Sequence, residues 1–121
     1  MDNVEFAEAM RSRTKTFALR TIKLYQNLPN NGEAQIIGKQ LLRSATSVAA
    51  NYRAASRARS DAEFYSKICI VVEETDETQF WFEILEEAGI LSPNKLSALK
   101  SEISEILAIF SKTKQSLRLK N

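Results

Sequence analysis

Four arginines carry the chemistry this chain could perform. Arg43, Arg53, Arg57 and Arg59 lie in a stretch with no acidic residue between Glu33 and Asp61. Arg53 and Arg57, four apart, share one face of a helix. A guanidinium is a planar fork of donors that matches phosphate oxygens. The four are therefore candidate nucleic-acid contacts, with a solvated face or pairing to carboxylates elsewhere in the chain as the alternatives. Glu73, Glu74, Asp76 and Glu77 form a dense acidic run. Such a run could attract a divalent cation, but dedicated sites in helical bundles draw ligands from several helices, so no metal is expected. The chain has no histidine, which removes the usual general base and every Ser-His or Cys-His dyad. The lone Cys69 lies inside the apolar run Ile68-Cys69-Ile70-Val71-Val72 and reads as a buried small hydrophobe. Gly32 and Gly38 fit no phosphate-loop spacing. No catalytic residue and no cofactor is expected.

The elements that must hold these residues are helices. Only 3 Gly and 2 Pro occur in 121 residues, too few for the turns of an all-β fold. Leu28-Pro29-Asn30-Asn31-Gly32 breaks the first helix. Ser60-Asp61-Ala62-Glu63 is a capping box, Gly89 suits a helix C-terminus, and Ser92-Pro93 is an N-cap followed by proline at the first helical position. Helices are expected at roughly 4–28, 33–58, 61–88 and 93–117. Their seams read Phe6, Met10, Phe17, Ile22, Tyr25, Leu28; then Ile37, Leu41, Ser44, Val48, Asn51, Ala55; then Phe64, Ile68, Val71, Thr75, Thr78, Phe82, Leu85; and finally Leu96, Leu99, Ile103, Ile106, Phe110, Thr113. An average step near 3.5 residues is the seam of a left-handed bundle. About 25 residues make a helix of roughly 37 Å. Four of these joined by short loops predict an all-α, antiparallel up-down-up-down four-helix bundle filling residues 1–121 as one domain.

The net charge of +2 conceals a segregation. It is +2 over residues 1–29, +4 over 30–59, −8 over 60–89 and +4 over 90–121. The third helix can pair with its basic neighbours within the chain or with another subunit. The consecutive aromatics Phe80-Trp81-Phe82 cannot all face one core, so a second surface, and with it an oligomer, is expected. After Leu41 the second helix turns small and polar. Ser44, Ser47 and Asn51 there suit either tight internal packing or a subunit contact, and Trp81, Glu73 and Glu77 are the matching interface candidates on the third helix. No apolar run approaches the roughly 20 residues of a membrane span. Residues 1–5 show no basic region leading into an apolar stretch, and a single cysteine forms no intrachain disulfide, so a cytoplasmic setting is expected.

The stretch from Gln40 to Phe64 contains Arg43-Ser44-Ala45-Thr46-Ser47-Val48-Ala49-Ala50-Asn51-Tyr52-Arg53. It resembles the signature of the bacterial four helix bundle protein family, the 23S rRNA intervening-sequence proteins. Leu28-Pro29, Val72–Thr78 and Phe80–Gly89 resemble it too, and the similarity covers roughly residues 14–112. Where many members carry Glu-Gly this chain has Ala54-Ala55, so a role resting on that glutamate has no carrier. The resemblance implies an antiparallel four-helix bundle assembled as a ring-shaped homopentamer. Some members are encoded within intervening sequences of large-subunit ribosomal RNA genes. A related group serves diversity-generating retroelements, with a basic pentamer surface for nucleic acid and the reverse transcriptase. No catalytic residues are attached to the family.

Two functions follow as expectations. One is a non-enzymatic oligomer that binds RNA or DNA, or accompanies a ribonucleoprotein, through Arg43, Arg53, Arg57 and Arg59. The other is a protein scaffold whose charged faces serve subunit contacts and a protein client.

Overall fold

The turns decide where each helix stops. In the computed structural model, which describes residues 3–120, α1 spans Asn3–Gln26, α2 Gly32–Ala55, α3 Asp61–Glu87 and α4 Pro93–Lys120. The first helix closes two residues earlier than expected, because Leu28 precedes a proline and is driven out of helical geometry. Its last amides bond three residues back, Asn27 N to Leu24 O and Leu28 N to Tyr25 O. Asn31 then caps α2, its side-chain oxygen accepting from Ala34 N at 2.9 Å. The second helix also ends early. The Arg57 and Ala58 amides donate to Ala54 O and Ala55 O, a tightened turn that leaves Arg57 beyond the last helical residue. Ser60 caps α3 by accepting from Glu63 N at 3.1 Å. Gly89 takes φ +72°, a left-handed conformation that costs a glycine little, and lets Ile90 N and Leu91 N return to Leu85 O. The last helix runs past residue 117 because nothing after Pro93 interrupts it.

The helices pack in a cycle: α1 on α2, α2 on α3, α3 on α4, and α4 back on α1. The α2–α3 seam is the most extensive and the α1–α4 seam the thinnest. One core unites all four, with Phe17 edge-on to Phe82 at 6.1 Å and Tyr52 against Phe110 at 4.9 Å. The α3 seam lies where expected, with Ile68, Val71, Thr75, Thr78, Phe82 and Leu85 buried and Phe64 half-buried. In α4, Leu96, Leu99, Ile103, Ile106 and Phe110 are buried and Thr113 half-buried.

The first two seams differ from their reading in sequence. In α1 the inward positions are Met10, Thr14, Phe17, Thr21 and Leu28, while Phe6 is exposed and Ile22 half-buried. Thr14 and Thr21 enter the core because each hydroxyl donates to the carbonyl one turn back, to Met10 O and Phe17 O. A threonine satisfied in this way presents mainly its methyl group. In α2 the inward set is Ala34, Gly38, Leu41, Ser44, Ala45, Val48, Tyr52 and Ala55, with Ile37 and Asn51 half-buried. Small residues win because α1 approaches closely there. A Cβ on Gly38 would run into the Leu28 side chain and lie 2.9 Å from Tyr25 Cδ1.

On the outside of the thin α1–α4 seam, Arg13 reaches Glu102 at 2.7 and 2.9 Å and Glu105 at 2.9 Å. Those hydrogen bonds from Arg13 hold the Glu102 carboxyl below its ordinary range, and the same contacts raise the Arg13 guanidinium further above its own.

Two outcomes are expected. Gly38→Val overpacks the α1–α2 contact and lowers the unfolding free energy by about 1–3 kcal/mol in urea titrations, with the helical signal retained. Glu102→Gln removes a partly exposed bidentate pair and costs about 1 kcal/mol near neutral pH. Because the folded Glu102 pKa lies below the unfolded value near 4.3, this contribution is complete above that pH and is lost as pH falls through the folded value. The gap between wild type and Glu102→Gln therefore closes in acid.

Candidate nucleic-acid interface

The four arginines do not form one stripe. Arg43 faces α3, hydrogen-bonded to Glu77 and 3.4 Å from Glu74. Glu77 also accepts from Trp81 Nε1 at 3.1 Å. The hydrogen bond from Arg43, with that from Trp81 second, holds the Glu77 carboxyl below its usual range. Of the two alternatives left open by sequence, Arg43 takes pairing with the third helix, inside its own chain. Its guanidinium is already committed to two carboxylates.

Arg53, Arg57 and Arg59 are exposed and make no ion pair among the described residues. Arg53 lies on the last turn of α2, and Arg57 and Arg59 lie in the turn that follows. The common helical face expected for Arg53 and Arg57 is thus replaced by a helix end plus its turn. The three gather where α2 ends and α3 begins.

Other cations join them from segments distant in sequence. Arg118, near the end of α4, is close enough to Tyr65 on the second turn of α3 to act on its phenol electrostatically. Arg11 on α1 does the same to Tyr52, whose phenol burial pushes up. Tyr52 in turn stacks on Phe110 of α4. These contacts place the start of α1, the end of α2, the start of α3 and the end of α4 at one pole of the bundle. Lys112 and Arg118 are exposed there, Lys114 and Lys67 half-exposed. After Glu105 the chain has no acidic residue. The acids near this pole are Asp61 and Glu63 in the first turn of α3 and Glu5 and Glu8 at the start of α1, positions the helix dipoles favour; the cations outnumber them. The net charge of +4 over residues 90–121 already put basic charge on the fourth helix, without naming which of its residues would join the arginines. The acid-free stretch after Glu105 gains its meaning from the fold, which packs Phe110 of α4 against Tyr52 near the end of α2.

The interface candidates also separate. Ser44 is fully buried within the chain, its hydroxyl donating to Leu41 O and accepting from Thr78 Oγ1 at 2.9 Å. It is a packing residue between α2 and α3, and a subunit surface is not where it lies. Ser47 and Asn51 are half-buried and bonded to each other, with Asn51 Nδ2 donating to Ser47 Oγ at 2.8 Å and to Ser47 O at 2.9 Å. Glu73 is exposed and Glu77 is held by Arg43. The aromatic run divides as its spacing requires: Phe82 inside, Trp81 half-buried, and Phe80 48% exposed with its ring against Trp81 at 4.9 Å. Cys69 is half-buried, less enclosed than expected, and its thiol beside Tyr65 raises the Tyr65 phenol.

Among the described residues, every buried side-chain nitrogen and oxygen has a hydrogen-bond partner, and no three metal-type side chains converge. No helix of the described residues is long and apolar enough to cross a membrane.

Comparison with known proteins bears on this arrangement. The model of the 23S rRNA-intervening sequence protein family matches residues 9–112. A crystal structure from Bacteroides thetaiotaomicron, described as a protein with unknown function from the S23 ribosomal protein family, is 31% identical. It superposes with a TM-score of 0.80, covering 86% of this chain and 96% of that one. No curated protein matches the chain.

Proposed function

Since the chain belongs to the 23S rRNA-intervening sequence protein family, we propose that it is a non-enzymatic, nucleic-acid-binding homo-oligomer that accompanies RNA or DNA through its basic pole. The single observation that carries this reading is the gathering of Arg53, Arg57 and Arg59 with Lys112 and Arg118 on one end of the bundle, exposed and without ion pairs among the described residues. Contacts of this kind go to phosphates. They position the protein on the chain without reading bases. An antiparallel up-down-up-down course and an assembly of five copies follow the ring that the family resemblance implies. Oligomerisation is further supported by exposed Phe80 and by the outward carboxylates of α3. A cytoplasmic setting suits such a partner.

The scaffold reading, in which the arginines hold subunits and a protein client, separates from this one at Arg57. Labelled single-stranded RNA binds the wild type with an affinity that falls steeply with salt. Replacing Arg53, Arg57 and Arg59 together by alanine makes the slope of log K against log salt shallower by about 2, since each neutralised phosphate on a single strand accounts for roughly 0.7 of that slope. Arg57→Glu weakens binding and leaves the mass in solution unchanged. Loss of the oligomer in Arg57→Glu, with RNA binding absent in the wild type at low salt, favours the scaffold.

A further inference from the structure

The thin α1–α4 seam leaves an open groove of about 770 Å³ on the side of the bundle. Leu19, Leu24 and Leu99 line it, and Leu19 is 56% exposed. Its rim is cationic, with Arg20 and Lys23 on α1 and Lys95 on α4, and no carboxylate lines it. None of these three cations is ion-paired among the described residues. An apolar floor with a basic rim calls for a helix that shows an apolar knob between acids.

The outer face of α3 has that pattern. Glu73, Asp76, Phe80, Glu83 and Glu87 are all exposed and follow one another in steps of three and four. They run opposite the buried Ile68–Leu85 seam. The four carboxylates make no ion pair among the described residues, because Arg43 and Lys100 engage Glu74, Glu77 and Glu86 instead. Phe80 stands in the middle, its ring braced edge-on by Trp81. The lengths agree as well. Asp76 to Glu87, the part of the patch that flanks Phe80, covers about 17 Å of helix at 1.5 Å per residue, and Thr16 to Gln26, the α1 wall of the groove, covers about 15 Å.

We infer that the occupant of the groove is a second copy of this chain: the Phe80 face of α3 in one copy docks into the α1–α4 groove of the next. Phe80 meets Leu19 and Leu99, and Asp76 and Glu83 meet Arg20, Lys23 and Lys95. The two patches differ and lie on different sides of the bundle, so the contact is head-to-tail and each copy keeps one free patch until a ring closes. The charge separation along the chain thereby acquires a use in selecting the partner face and setting its register. The basic pole takes no part and stays open on every copy. This inference rests on the proposed oligomer and names its interface.

The test uses the full chain with Cys69→Ser, carrying Leu19→Cys, Phe80→Cys, or both, under mild oxidation. The double variant is expected to give a ladder of disulfide-linked species up to the mass of the native oligomer, and neither single variant gives a dimer. Dimers from Phe80→Cys alone mean a two-fold contact and overturn the head-to-tail arrangement. A native oligomer, by light scattering, whose double variant yields no ladder overturns the interface while the oligomer stands. A monomeric wild type overturns both. As a second check, Lys23→Glu with Lys95→Glu lowers the mass to that of a monomer, as does Asp76→Lys with Glu83→Lys. The chain carrying all four changes recovers the oligomer. Failure of that recovery, with circular dichroism showing folded helices, counts against the pairing.

Discussion

In the middle of the α2–α3 seam, the Thr78 hydroxyl lies 2.9 Å from Ser44 Oγ and 2.7 Å from its own Glu74 carbonyl. The surrounding residues are small or apolar: Leu41, Ala45, Val48, Val71 and Thr75. This polar pair fixes how far α2 slides along α3, and that register decides where the charge goes. With Ser44 against Thr78, Arg43 is carried to Glu74 and Glu77 at the edge of the seam. Two of the nine acids between residues 60 and 89 are thereby consumed, and Lys100 engages a third, Glu86. The outward acids Glu73, Asp76, Glu83 and Glu87 are left to the far side of α3. They lie toward its C-terminal half, and the pole where α3 starts keeps its cations. Exposed ion pairs of this kind add little stability. Their effect here is placement.

Much of this was legible in the sequence, and the reasons are physical. Pro29, the Ser60–Glu63 box, Gly89 and Pro93 end or start helices through backbone geometry alone, so the four helices could be read before any packing was known. The seams of α3 and α4 were legible because their core positions hold large apolar side chains at unbroken steps of three and four. The seams of α1 and α2 were legible in part: Met10, Phe17 and Leu28, and Leu41, Ser44, Val48 and Ala55, are buried as read, and other positions were missed. Thr14 and Thr21 count as polar until their hydroxyls are seen to be satisfied within the helix, and Gly38 and Ala45 carry no apolar signal although they allow the closest approach. Ile37 and Ile22 drew the register by size and turned out half-buried.

The candidate site was legible in part for a related reason. Arg53, Arg57 and Arg59 announce themselves by type and by the acid-free stretch around them. Arg43 looks the same in sequence, and only the neighbouring helix reveals that it is committed. Lys112, Lys114 and Arg118 reach the pole because α4 packs against distant segments, as Phe110 does against Tyr52, which no local pattern encodes. Family membership agrees with the fold and leaves the partner to be found by experiment.

Lysine modification read by mass spectrometry, with and without bound single-stranded RNA, shows whether the basic pole is where nucleic acid sits. The chain carries its own reporters: Lys67, Lys112 and Lys114 at the basic pole, and Lys23, Lys39 and Lys95 away from it. If the basic pole holds the RNA, bound RNA protects the first three and leaves the reactivity of the others unchanged. Protection of Lys23, Lys39 or Lys95 with the pole still reactive would contradict that placement.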